Sequence, residues 1–330
     1  MKSTSQERLD NLHKQLRTLA IEPHTVMPDG AEGGTIYHYT DAEGLESIIG
    51  TGMLWATNLP SLDDTLETKY PHRFCQEFLS SRLNECSSET RDLLRHAHNV
   101  LNRFSEYLCH YEYQFSISFS LASGLESQWR DYADKGKGFA IGFDTGRMLQ
   151  KFLSDCTDPE STTEPYFTFR KMVYSPEKQK TILDSILAET LDAWPALCDL
   201  PLFQENTMEQ HVACRLVLYL MLAATCFKDP SFTAEREYRV MAANGLEMKV
   251  AGTKLDVKSR TRSRDGKRIK YWELDVTDST SGLMPISEVI IGAANDSTAA
   301  KKQLERVLQM KGYTGENFPN IVQAAYQPAV

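Results

Sequence analysis

The sequence lacks any apolar run near the length of about 20 residues that crosses a bilayer. Its first residues, MKSTSQERLDNLHKQL, also lack the apolar core of a secretory signal peptide. We therefore expect a cytoplasmic protein that does not contact a membrane. The 7 cysteines are odd in number and scattered, without a Cys-x-x-Cys pair, which argues against a disulfide framework and a zinc knuckle.

Other familiar signatures are missing as well. Neither a Gly-x-Ser-x-Gly elbow nor a phosphate-binding P-loop occurs, so the sequence does not indicate an α/β-hydrolase or a P-loop enzyme. Histidines and cysteines form no second pair at ligand spacing, and we expect no metal site. The formal net charge of −9 argues against general coating of a polyanion, although it leaves room for a local basic patch.

The remaining composition, 41% hydrophobic and 25% charged, is that of an ordinary globular protein. Residues 1–34 are predicted to form a leading amphipathic helix and a linker. We predict a single domain over residues 35–330, with helical insertions at about 66–110 and 177–227. Strands and helices mix without strict βαβ alternation, which favours the α+β class. The sequence does not indicate an oligomeric state.

A strand–helix–strand unit opens this domain. Residues 36–40 and 53–57 have the β-branched and aromatic composition of strands. Thr40 is predicted to cap the helix between them, with Glu43 completing a capping box. Alternation places His38 and Thr40 on the same side of the first strand, where an imidazole and a hydroxyl suit a polar ligand. The alternative is a histidine satisfied inside the fold.

Two further segments supply polar side chains at strand spacing. In residues 113–120, serines alternate with phenylalanine and isoleucine, so Ser118 and Ser120 are predicted on a polar face. Glu235 and Glu237 are predicted on one face of a later strand. The alternative is that these are exposed glutamates paired with neighbouring arginines, an arrangement that contributes little stability.

A basic hairpin is predicted over residues 255–276, turning at Asp265-Gly266. Arg260, Arg262 and Arg264 alternate along its first arm, which places a line of positive charge on one face. Such a line could receive nucleic-acid phosphates. The alternative is a solvated hairpin whose charges prevent aggregation.

Taken together, these segments resemble a widespread bacterial family catalogued as domain of unknown function 2971. The resemblance runs from about Thr35 to about Pro328 and is carried by the segments IYHYTDAEGLESII, FSISFS, SQWRDYADKGKGFAIGFD, FKDPSFTAEREYRV and SEVIIG. The opening segment is also similar to the first block of the ADP-ribosyltransferase superfamily, where a His and a hydroxyl residue end the first strand. This second resemblance implies a split mixed and antiparallel sheet with helical insertions.

The superfamily resemblance implies that NAD is the substrate from which nicotinamide is cleaved. His38, Ser118 and Glu237 are then the catalytic residues, with Glu237 stabilising an oxocarbenium-like ribose and the serine supporting it. Glu235 and the hairpin arginines would bind the acceptor. The NAD-binding residues implied are His38, Tyr39, Thr40, Ser120, Trp129, Arg130 and Tyr132, although Trp129 and Tyr132 also suit a helix core.

The resulting prediction is an ADP-ribosyltransferase-like enzyme that modifies a nucleic acid or protein, or hydrolyses NAD. By resemblance, a toxin or phage-defence role is expected. Two alternatives remain open. One is a non-catalytic module that binds a nucleotide or nucleic acid; the other is a nuclease whose carboxylates hold a divalent ion. The carboxylates of the second alternative are Asp63, Asp64, Glu235 and Glu237.

Overall fold

A computed structural model describes residues 4–21, 34–61, 66–104, 114–155, 165–198, 207–244, 259–264 and 266–325. The fold is α+β, as predicted, with several helices and an open sheet that contains parallel and antiparallel pairs. No helix in the described part of the chain is long and apolar enough to span a membrane. The predicted carboxylates Asp63 and Asp64 lie outside the described residues.

The helices and strands have the following bounds. The helices are α1 (Thr4–Ile21), α2 (Ala42–Thr51), α3 (Leu66–Glu85), α4 (Ser88–Phe104), α5 (Glu126–Tyr132), α6 (Thr145–Asp155), α7 (Pro176–Ala193), α8 (Met208–Ala224) and α9 (Ser297–Lys311). The strands are β1 (Thr35–Thr40), β2 (Met53–Asn58), β3 (Gln114–Ser120), β4 (Phe139–Asp144), β5 (Pro165–Lys171), β6 (Glu237–Asn244), β7 (Arg260–Arg264), β8 (Lys267–Asp275), β9 (Ile286–Ile291) and β10 (Asn320–Gln323).

The chain forms two compact units, a helical unit and a sheet unit. The helical unit comprises residues 1–26, 63–112 and 172–230, so the leading helix and both predicted insertions belong to it. Within it, α1 packs against α7 and α8 through Leu12 and Leu16, which are buried as the amphipathic pattern predicts. The assignment of residues 35–330 to a single domain stays a prediction.

The sheet unit is built around β3, which has three neighbouring strands. The strand order is β10-β9-β4-β1-β3-β2-β8-β7, and β6 pairs with β3 and β5. β1 pairs with β3 at Tyr37 and Ser120. β2 pairs with β3 lower down, at Thr57 with Ser116 and at Asn58 with Phe115. β1 and β2 therefore share one edge of β3 at different heights, and the sheet splits between them.

Alternation along β3 separates a core face from a polar face. Phe115, Ile117 and Phe119 are buried in the main hydrophobic core. Helices α2, α6 and α9 contribute to this core, for example through Leu45 and Leu304, so we call this side of the sheet the helix-covered face. The opposite side carries the serines of β3 and is called the serine face.

The beginning of α2 differs from the prediction. Asp41 caps the helix, and its Oδ1 accepts a hydrogen bond from the Gly44 N–H at 2.7 Å. The prediction that Thr40 caps this helix is wrong, because Thr40 still belongs to β1, where it pairs with Phe139 of β4. The helix ends at Gly52, which has the left-handed φ of 75° that favours glycine.

The predicted hairpin is present as β7 and β8. Arg260 pairs with Tyr271, and Gly266 in the turn has a φ of 76°. Asp265 and the predicted region before residue 259 lie outside the described residues.

Candidate active site

A row of polar side chains crosses β3, β6 and β5 on the serine face. The register places Ser120 opposite Glu237 and Ser118 opposite Arg239. On the next strand, Arg170 lies opposite Arg239. Because cross-strand partners project from the same face, these five side chains lie on one surface of the sheet. The predicted proximity of the serine strand to Glu237 is therefore present.

Glu237 and Arg239 form a buried ion pair within β6. Each residue is 4% exposed. Arg239 donates from Nε to Glu237 Oε1 at 2.6 Å and from Nη2 to Oε2 at 3.0 Å. The two-point contact satisfies the carboxylate geometrically and neutralises its charge. Breaking such a buried pair by removing one partner costs about 3–5 kcal/mol. The pair thus limits how freely Glu237 can stabilise another cation.

Ser118 stands at the split in the sheet. It is exposed, while Ser116 and Ser120 on the same face are buried. β1 is in register with β3 at Ser120 and β2 at Ser116, which leaves Ser118 between the diverging strands. Solvent can therefore reach the serine face at this residue. Ser116 Oγ is buried and finds no hydrogen-bond partner among the described residues.

His38 occupies the other side of the sheet. Its register partner in β4 is Ile141, a residue of the main core, and its ring makes an edge contact with Phe119 at a centroid distance of 5.8 Å. Nδ1 lies 3.0 Å from the Ser118 carbonyl oxygen. Burial lowers the pKa of His38, and the bond to that carbonyl only partly opposes the effect, so the ring is neutral at pH 7.

The register therefore does not bring His38 and Glu237 together. Tyr37, Ser120 and Glu237 form one cross-strand row, and the next side chain along β1 projects from the opposite face. His38 is linked to the serine face only through the backbone of Ser118 among the contacts just described. His38 and Glu237 were predicted to act together as catalytic residues, but this geometry places their side chains on opposite faces of the sheet.

The predicted aromatic residues have divided roles. Tyr39 and Trp129 pack edge to face at 5.1 Å and are buried, so their rings form a small core on the serine face. Trp129 Nε1 donates to the Ser123 carbonyl, and the Tyr39 hydroxyl donates to that of Ala122. Tyr132, by contrast, is 54% exposed. Trp129 therefore belongs to a hydrophobic core, as the alternative for this residue expected. Because the rings of Tyr39 and Trp129 are both buried, neither has an exposed face on which nicotinamide could stack.

Two other predicted NAD-binding residues lie at the surface or at a strand end. Arg130 is exposed and forms a two-point contact with the carboxylate of Asp131 at 2.8 and 2.9 Å. Thr40 is half-buried at the end of β1. Its hydroxyl approaches Gly44 so closely that a side chain at that glycine would collide with it. Neither residue lies in the row of β3 and β6.

Glu235 does not share a strand face with Glu237, which corrects the prediction. It ends a 3-10 helix, Pro230–Glu235, and Arg236 then takes a left-handed φ of 46° before β6 begins. Strand alternation cannot be extended through such a residue, because alternation requires an extended backbone and a left-handed residue is not extended. The Glu235 carbonyl accepts a hydrogen bond from Ser120 Oγ at 3.1 Å, so its backbone supports the site.

The basic hairpin presents an aromatic-supported arginine. The Arg262 guanidinium lies over the rings of Trp55 and Tyr271, at 4.9 and 5.8 Å from their centroids. Arg260 pairs with Glu273 at 3.0 Å. The predicted line of positive charge is therefore partly engaged by neighbouring groups, and the side chain of Arg264 lies outside the described set.

Sequence reasoning missed several residues of the site. Arg170, which lies opposite Arg239, was not predicted. Arg239 was predicted only in the alternative, as a neighbouring arginine that pairs with the glutamates. It does pair with Glu237, at the two-residue spacing that shares a strand face, but the pair is buried rather than exposed. Trp55 and Tyr271 were also missed, because their contact with Arg262 depends on strand pairing. Among the described residues, no group of three His, Cys, Asp or Glu side chains is arranged to hold a metal ion.

The comparisons with known proteins concern the middle of the chain. The sequence model of a family described as "Protein of unknown function (DUF2971)" matches residues 128–240. This match confirms the family resemblance over the stretch that contains the Gln128–Tyr132 and Glu235–Arg239 motifs. No curated protein and no solved structure gave a match.

Proposed function

We propose that the protein is an ADP-ribosyltransferase-like enzyme that uses NAD and acts on the serine face of its split sheet. The observation that carries this proposal is the cross-strand pair of Ser120 and Glu237, adjacent to the exposed Ser118 at the split. The Glu237 carboxylate is buried, but it lies beside hydroxyl groups and near Ser118, which solvent can reach; a carboxylate in such a place suits an electron-poor sugar.

The reaction breaks the N-glycosidic bond of NAD, and the bonding electrons leave with nicotinamide. The ribose C1′ becomes electron-deficient, and a nucleophile of the acceptor, or water, attacks it and loses a proton. In this proposal Glu237 stabilises the developing positive charge, and Ser118 and Ser120 orient the ribose and the carboxylate. His38 is assigned a positioning role through the Ser118 carbonyl rather than direct contact with the sugar.

The hairpin arginines extend the proposal to the acceptor. Arg260 and Arg262 are candidates for binding a nucleic-acid or protein acceptor, and the cation–π contacts of Arg262 hold its guanidinium in place. Proteins with such activity serve in toxins and phage defence, which is the biological setting that we propose.

A second candidate function, a non-catalytic nucleotide-binding module, is favoured by one specific observation. The bidentate contact with Arg239 already compensates the charge of Glu237. A carboxylate so engaged contributes less to an oxocarbenium-like transition state than a free one. In that case ligands bind to the same surface without turnover.

Nicotinamide release from NAD by the full-length protein separates the two functions. The single substitution Glu237→Gln leaves Arg239 buried without its anion, so the double variant Glu237→Gln with Arg239→Met is the better test. We expect a loss of about 100- to 1,000-fold in the release rate, as for removal of one electrostatic stabiliser. Glu43→Gln, an exposed change on α2, is the matched control.

The outcomes distinguish the alternatives when melting temperatures are recorded for each variant. Release by the wild type that is lost in a folded double variant supports the enzyme. An NAD-dependent rise in melting temperature without release supports the binding module. Undiminished release in the double variant rejects the assignment of Glu237. Labelled NAD incubated with a cell lysate then identifies the acceptor.

A further inference from the structure

A surface groove lies between α2 and α9 on the helix-covered face of the sheet unit. Its volume is about 890 Å³. The groove is lined from α2 by Glu46 and Gly50, which are four residues apart and therefore share one side of that helix. The rest of the lining comes from α9.

The α9 side of the groove consists of two adjacent rows at four-residue spacing. One row is Lys302, Arg306 and Met310; the other is Gln303, Val307 and Lys311. Eight residues of α-helix span about 12 Å, so each row presents three side chains over just more than two turns. A ligand with the same helical repeat can meet both rows at once.

The charge in the groove is positive, whereas the chain as a whole has a net charge of −9. Lys311 is engaged, since its Nζ donates to the Gly50 carbonyl at the end of α2 at 2.7 Å. Glu46 accepts a hydrogen bond from Gln303 at 2.6 Å. Lys302 and Arg306 are exposed, and neither has a carboxylate partner among the described residues. These two cations remain available to an anionic partner.

An apolar centre accompanies the cations. Met310 is 74% exposed and Val307 beside it is half-buried, so an apolar surface adjoins the two cations. At Gly50 a side chain would meet no atom within 4 Å, so the backbone of a partner can approach α2 closely there. Methionine adapts its shape to varied apolar partners.

From these features we infer that the α2–α9 groove docks an acidic helical segment of a partner protein. Aspartate or glutamate side chains at four-residue spacing would pair with Lys302 and Arg306, and one apolar side chain would cover Val307 and Met310. A cleft between two helices can accept a third helix by packing of ridges into grooves.

The inference is independent of the proposed enzymatic function. α2 and α9 contribute Leu45 and Leu304 to the core of the helix-covered face, whereas Glu237 lies on the serine face. Binding of a partner in the groove does not require NAD, and loss of nicotinamide release in Glu237 variants does not remove the groove. Each proposal can therefore fail alone.

The test uses fluorescence anisotropy of a labelled synthetic helical peptide with the full-length protein at low salt. The peptide carries two glutamates at four-residue spacing, to face Lys302 and Arg306, and a single leucine one turn beyond the glutamate that faces Arg306, where it meets Val307 and Met310. We expect that Lys302→Glu and Arg306→Glu each weaken binding about tenfold, since each replaces an attraction by a repulsion. Lys301→Glu is the matched control, because Lys301 is an exposed cation of α9 outside the groove.

A second variant, Met310→Ser, tests the apolar centre and is expected to weaken binding without changing its salt dependence. The inference is overturned if the wild type does not bind the peptide, or if Lys301→Glu weakens binding as much as Arg306→Glu. It is also overturned if a single-stranded oligonucleotide or an anionic phospholipid vesicle binds more tightly than the peptide and depends on the same two cations.

Discussion

At the scale of single residues, position on a strand decides which groups can act together. Ser118, Ser120 and Glu237 were predicted from two-residue alternation, and the register places them on one face. His38 was selected by its neighbourhood in the sequence, but the register of β1 sends its side chain to the helix-covered face. The sequence of a strand shows which of its side chains share a face, but not which strand pairs with it or in which register. Whether His38 and the distant Glu237 share a face could therefore not be predicted.

His38 gives a prediction for the pH dependence of stability. Burial lowers its pKa, so the native state binds this proton more weakly than the unfolded chain, whose histidine has a pKa near 6.5. Its titration therefore leaves stability unchanged above about pH 6.5 and reduces stability as the pH falls below that value. Compared with the wild type, His38→Gln should lose less stability between pH 7.5 and 5.5.

Urea unfolding at several pH values measures this difference. The other histidines are present in both proteins, so the difference between the two curves reports on His38 alone. This holds also for His211, although burial lowers the pKa of that residue as well. Parallel curves across the range would show that the imidazole is as readily protonated in the folded protein as in the unfolded chain.

At the scale of elements, close backbone contacts fix the junction between β1, β4 and β9. Gly138 precedes β4, and its carbonyl accepts a hydrogen bond from the Gly292 N–H at 2.9 Å. A side chain at Gly138 would collide with the Thr40 carbonyl and with the backbone of Ala133. Residues 134–138 thus form a tight turn that leads into β4.

Gly138→Ala is therefore expected to lower the free energy of unfolding by about 1–3 kcal/mol, because the backbone of β1 or the preceding turn must move. Gly124→Ala, at a position with open space and no positive φ, should change it by less than about 0.5 kcal/mol. Chemical denaturation of both variants provides the measurement. Equal losses would mean that the added methyl group is not the cause.

Turns and caps were harder to predict than strands. Both Thr40 and Asp41 are residue types that cap helices, and the choice between them depended on how far β1 pairs with β4. The left-handed Arg236 carries no sequence signal, since glycine or asparagine is the usual residue there. Because of the left-handed Arg236, β6 begins only at Glu237, and Glu235 does not share its strand face as predicted.

At the scale of the whole molecule, residues far apart in sequence form each compact unit. The α+β class followed from the mixed order of elements, and the hairpin followed from its turn. A split sheet was implied by the superfamily resemblance, but the place of the split at β3 was not, because it depends on which two strands share one edge. Topology of this kind is set by long-range pairing, which local patterns do not encode.

Deletion of residues 1–26 is expected to destabilise the helical unit rather than remove an independent appendage. Leu12 and Leu16 of α1 are buried, and α1 packs on α7 and α8. The point substitution Leu16→Ala should cost about 2–5 kcal/mol. Lys14→Ala, on the exposed side of α1, should have little effect.

Calorimetry and binding of a hydrophobic dye measure these changes. We expect the deletion to lower the melting temperature and to raise dye binding. An unchanged melting temperature in both the deletion and Leu16→Ala would show that α1 contributes nothing to the packing of this unit.

The packing of α1 also bears on how the chain is made. Its partners, α7 and α8, leave the ribosome long after α1 does; synthesis of the intervening chain up to the end of α8 takes about 10 to 40 s at ordinary rates. During that interval the leucine stripe of a nascent amphipathic helix has no native cover. A molecular chaperone that shields such stripes would then raise the yield of folded product in cells, most visibly at elevated temperature.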